Sequence, residues 1–139
     1  MAAARALVAS GNVTGIDSEI FGPDERVLAP IFGKVVLTEQ DIPQNFITLA
    51  QGWGGECRVE VTLTARLLSE RRVHVTVNGK LFEGDSETTG DLEDEKTASV
   101  VVPKGGFPIP LSMSLHNTGF GGGDSATISL SFTNTVEED

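Results

Sequence analysis

The densest chemistry in this chain is the stretch 83–96, EGDSETTGDLEDEK, with seven carboxylates and one lysine in fourteen positions. Carboxylate oxygens at that density suit a hard divalent cation. Counted from Asp85, the run has Glu87 third and Gly90 sixth, as a twelve-residue calcium loop requires. Thr89 stands fifth, however, and Lys96 occupies the place of the bidentate glutamate. The flanks read as strands, which excludes the helix–loop–helix form. A looser site remains, with Asp85, Asp91, Glu93 and Asp94 gathered at one end of the fold. Against it, acidic runs are generally solvated and self-repelling. The expectation is a mobile, solvated loop and no cofactor, with calcium the one ion to test.

Nucleophilic chemistry has less behind it. Cys57 falls on the apolar side of an alternating run, where a cysteine acts as a small buried hydrophobe. His74 and His116 fall on outward positions, far apart in sequence, with no carboxylate paired to either. The glycine-rich GFGGGD (119–124) lacks the lysine of a phosphate loop and leads into a strand. No motif joins nucleophile, base and orienting group, so no enzyme is expected. One cysteine also excludes an internal disulfide framework, and no cysteine–histidine cluster suggests zinc.

Trp53 in QGWGGE stands among three glycines. Exposed, it would be a stacking or contact platform; folded back, it would cap the core.

The elements that must position these residues read as strands. Cys57, Val59, Val61, Leu63, Ala65 and Leu67 alternate with Arg58, Glu60, Thr62, Thr64 and Arg66. After a polar turn at 69–72, Val73, Val75 and Val77 continue the pattern, with Gly79 read as a bulge or bend. Further alternation runs through 97–102, 109–116 and 126–133. In the first half, 32–38 and 45–51 read as strands and 26–30 as a short edge strand ending at Pro30. Residues 1–25, broken by glycines, read as an extended arm or edge strand preceding a single domain at 26–139. No stretch holds a 3.6-residue period, so little helix is expected. The prediction is an all-β fold, an antiparallel β-sandwich of about seven to nine strands, with barrel-like closure as the alternative. At the level of architecture this resembles C2-like or immunoglobulin-like sandwiches. The acidic loop is similar to the calcium loops of C2 domains, except that its acids come from one loop.

Twenty acidic against ten basic residues give a net charge of −10. That field repels nucleic acid and anionic lipid. The apolar stretch of MAAARALVAS is too short for a secretory signal, and nothing reaches membrane-spanning length. A cytoplasmic protein is expected, or one assembled within the cell into a larger particle.

Charge is unevenly spread. Residues 97–135 carry only Lys104 and Asp124, while outward positions hold Thr97, Ser99, Ser112, Ser114, Thr127, Ser129, Ser131 and Thr133. Solvent-facing sheets usually carry lysine and glutamate against unwanted pairing. A hydroxyl face lets another surface approach with little side-chain entropy lost. Trp53, Ser112, Ser114, His116, Thr127, Ser129 and Ser131 are therefore the candidate contact residues. The function expected is a non-enzymatic module binding a protein, itself or a saccharide. The alternatives are a structural subunit of a homo-oligomeric assembly, of capsid-decorating or sheath type, and a calcium-dependent domain using residues 83–95.

Overall fold

Successive side chains of an extended chain point to opposite sides, so period-two sequences bury one side by packing two sheets together. The computed structural model describes residues 4–17, 23–117 and 123–137. Its strands are β1 (Arg5–Asp17), β2 (Glu25–Leu37), β3 (Gln44–Trp53) and β4 (Cys57–Leu67), then β5 (Val73–Glu83), β6 (Leu92–Val102), β7 (Ile109–His116) and β8 (Ser125–Val136). The one helical segment among the described residues is a 3-10 turn at Ser69–Arg71. No helix among them is long and apolar enough to cross a membrane.

The strands form two antiparallel sheets, β2–β1–β8–β7 and β3–β4–β5–β6, stacked as a sandwich. Every ladder joins strands consecutive in sequence except β1 with β8. The path is an up-and-down meander, so the described strands make no Greek-key crossover of the immunoglobulin kind. Leu7, Val13, Ile128 and Phe132 of the first sheet meet Val59, Val61, Val75 and Leu81 of the second, all fully buried in one core.

Several local expectations are corrected. Residues 5–17 are neither arm nor edge: β1 lies between β2 and β8 and buries Leu7, Ala9 and Val13. Segments 26–30 and 32–38 are one strand, running unbroken through Pro30. Because β2 has a ladder on one side only, the missing N–H of Pro30 is tolerated. Gly79 sits in register between Val61 and Lys96; the irregularities fall at Asn45/Ile47 and Leu81/Phe82. The hydroxyl-rich strands do not share one face, since β6 with Thr97 and Ser99 belongs to the other sheet from β7 and β8.

Between β6 and β7 the sheets lack a ladder, and side chains bridge the gap. Lys96 Nζ donates to the Ser114 carbonyl at 2.6 Å, and the His116 N–H donates to Asp94 Oδ2 at 2.9 Å. Both bonds satisfy backbone groups on an edge strand that the ladder leaves open.

Candidate functional site

A meander sends alternate hairpin connections to the same end, and here that end collects carboxylates. Asp17 closes β1 and has the parity of Leu7, Ala9 and Val13, so its side chain turns inward. The β1–β8 register sets Ile16 opposite Ser125, which brings Asp17 beside Asp124. Cys57 opens β4 on the facing sheet. Asp17 and Asp124 are each 3% exposed and Cys57 is 0% exposed, and their ligand atoms all lie within 4.8 Å of one another.

Asp17 and Asp124 are two buried carboxyls side by side, an arrangement that disfavours ionising both. Burial first, then the adjacent Asp124 carboxyl, then the charges of Glu25 and Asp24 push the Asp17 carboxyl up to about 6. The Cys57 thiol is raised by burial first, and then by Asp124, Asp17, Glu83 and Glu56. It stays protonated at neutral pH and makes a poor nucleophile.

Two further groups frame the cluster. Asn117 Nδ2 donates to Glu83 Oε2 and, at 3.5 Å, to Asp124 Oδ2, tying the end of β5 to the start of β8. Gly54 has φ +66°, and a Cβ there would lie 2.3 Å from Asp17 Oδ2 and 2.9 Å from Glu25 Oε2. Those two oxygens thus bound the same small space. Asp17 Oδ2 is buried with no hydrogen-bond partner among the described residues.

Trp53 is 4% exposed, which removes it as a contact platform. Its ring covers Gly15, where a Cβ would stand 2.6 Å from the ring. Of the four acids expected to hold a cation, Asp85, Asp91 and Glu93 are exposed and Asp94 accepts the His116 N–H. None belongs to the group formed by Asp17, Cys57 and Asp124. The acidic loop is tied to the neighbouring turn through Glu87: its Oε2 accepts the Gly55 N–H at 2.8 Å and its carbonyl accepts Arg58 at 2.6 Å. Cys57, His74 and His116 are not brought together, because the cysteine is inside and the histidines face outward from different sheets.

The other expected residues do share a surface. On the outer side of β2–β1–β8–β7, Ser112 stands opposite Ser129, Ser114 opposite Thr127, and Pro110 opposite Ser131. His116 lies opposite Ser125. The register continues this face through Ser10, Asn12 and Thr14 of β1 to Leu28, Pro30 and Phe32 of β2. Leu28 is 66% and Phe32 73% exposed. Within the four strands the outward charges are Arg26 and Lys34, with no carboxylate; Glu137, just past β8, pairs with Lys34 at 2.9 Å.

Two signals for the missed residues were present in the sequence. Asp17 keeps the inward parity of β1, and Asp124 is the one acid between 97 and 135. No family model, curated protein or solved structure matches the chain.

Proposed function

We propose that the chain is a non-enzymatic interaction module that associates with a second copy of itself through the outer face of β2–β1–β8–β7. The observation that carries this reading is charge: a chain of net charge −10 has a whole sheet face whose strands present no carboxylate. Two such chains repel through most orientations, and this face lets them meet without opposing acids. Its hydroxyls lose little side-chain entropy on contact. Leu28, Phe32 and Val36, four residues apart on β2, add an exposed apolar line of the kind found at protein contacts.

Size is consistent with the reading. Four strands spaced about 4.8 Å apart, rising about 3.3 Å per residue, give a face of roughly 700 Å². Two faces together bury roughly 1,400 Å², within the range of specific complexes. A structural subunit of a larger assembly uses the same contact, repeated.

Light scattering coupled to size exclusion tests this directly. The native chain should elute as a dimer or larger multimer, and Phe32→Glu or Ser129→Asp should shift it to monomer with an unchanged circular-dichroism spectrum. A native protein that stays monomeric at high micromolar concentration would refute the reading.

A further inference from the structure

We propose that Asp17 and Asp124, flanked by Glu25 and Glu83, form a site for a divalent cation of the calcium class, bound through carboxylate oxygens. This is independent of association through the sheet face, because the cluster lies inside one end of the sandwich.

A ligand oxygen of Asp17 and one of Asp124 lie within 4.8 Å of each other. A point midway between them is therefore at most about 2.4 Å from both, within the calcium–oxygen range of about 2.3–2.6 Å. The contributing side chains come from the ends of different strands, β1, β5 and β8, and from Glu25 at the start of β2.

Asp17 is 97% removed from solvent, yet its Oδ2 finds no donor among the described residues. A buried carboxylate oxygen without a donor is costly, and a cation is the partner that satisfies it and the adjacent carboxylates together. Arg58, the nearest cation along β4, is already committed to Glu60, to the Glu87 carbonyl and to the Phe82 ring.

The donor set selects the ion. Asp17, Asp124, Glu25 and Glu83 bring carboxylate oxygens to this end, against the single sulfur of Cys57, and oxygen donors favour calcium over zinc.

Calcium titrated into chelator-stripped protein at matched ionic strength tests the site, read by calorimetry and by the fluorescence of Trp53. Trp53 is the single tryptophan and covers Gly15, two residues before Asp17. Saturable binding at or below millimolar calcium is expected, with a rise in melting temperature. Asp17→Asn and Asp124→Asn should each weaken it roughly ten- to a hundredfold. Asp85→Asn and Glu93→Gln, on the exposed loop, should leave it unchanged and show that general charge reduction is not the cause. Absence of saturable binding in folded native protein would overturn the proposal. So would binding lost with the loop substitutions but kept in Asp17→Asn, or zinc binding that depends on Cys57.

Discussion

Arg5 and Asn134 lock the other end of the sandwich: the guanidinium Nε donates to Asn134 Oδ1 at 2.9 Å, with both residues buried. The same asparagine donates Nδ2 to the carbonyls of Arg71 and Val102 at 2.8 and 2.9 Å. One side chain therefore ties β1, the β4–β5 turn, β6 and β8. Asn134→Ala leaves the Arg5 guanidinium only its bond to the backbone carbonyl of residue 134 and deprives the Arg71 and Val102 carbonyls of their donor. A loss of about 2–4 kcal/mol in urea denaturation is expected, since unsatisfied buried groups cost this much.

The alternation along β8 predicts opposite outcomes for adjacent positions. Leu130 is 5% exposed and Ser129 is exposed. Leu130→Ala should cost about 2–5 kcal/mol, as buried large-to-small changes do. Ser129→Ala should stay within about 0.5 kcal/mol. Equal losses in chemical denaturation would contradict the inward and outward assignment.

Gly15 is needed for contact rather than for a turn. An added Cβ would lie 2.6 Å from the Trp53 ring, so Gly15→Ala must push the indole outward. Overpacking of this sort costs about 1–3 kcal/mol. A red-shifted tryptophan emission should accompany the loss.

In the absence of divalent cations, the Asp17–Asp124 pair should tilt stability with pH. The Asp17 carboxyl lies at about 6 in the folded chain, above its ordinary 3.8, and the groups facing it are Asp124, Glu25 and Asp24. A raised carboxyl pKa means that the folded state holds the proton more tightly. Its contribution is fully present below about pH 4 and is lost as pH rises through about 6. Asp17→Asn removes that dependence. With chelator present, the variant should gain on the native protein between pH 4 and 7, by on the order of 1–3 kcal/mol. A gap that does not change with pH would show that Asp17 does not titrate in this range.

The second half of the fold was legible because its strands alternate cleanly: β4, β5, β7 and β8 each bury one side and leave the other half-buried or exposed. β1 and β2 were obscured by Gly11, Gly15 and Pro30, which read locally as breakers. Both glycines are sites of close approach: Gly11 against the Ser129 carbonyl of β8, and Gly15 under the Trp53 ring. Pro30 is allowed by its edge strand. The acidic run at 83–96 is conspicuous in the sequence because its charges are neighbours along the chain. The buried carboxylates come from the first and last strands and meet only through the β1–β8 register, a relation that no local pattern carries.

That same β1–β8 register determines how the chain must be threaded in time. The Glu137 N–H donates to the Ala4 carbonyl at 2.9 Å, so the two ends of the described chain are in contact. Every other ladder closes a short loop, whereas this one waits for nearly the whole chain to be gathered, the costliest closure in entropy. A circular permutant joined across Ala4 and Glu137, and opened in the 103–108 connection where no ladder is cut, turns that closure into a local hairpin. Stopped-flow refolding of the permutant should be faster than that of the natural order, while the pairing of every strand is preserved.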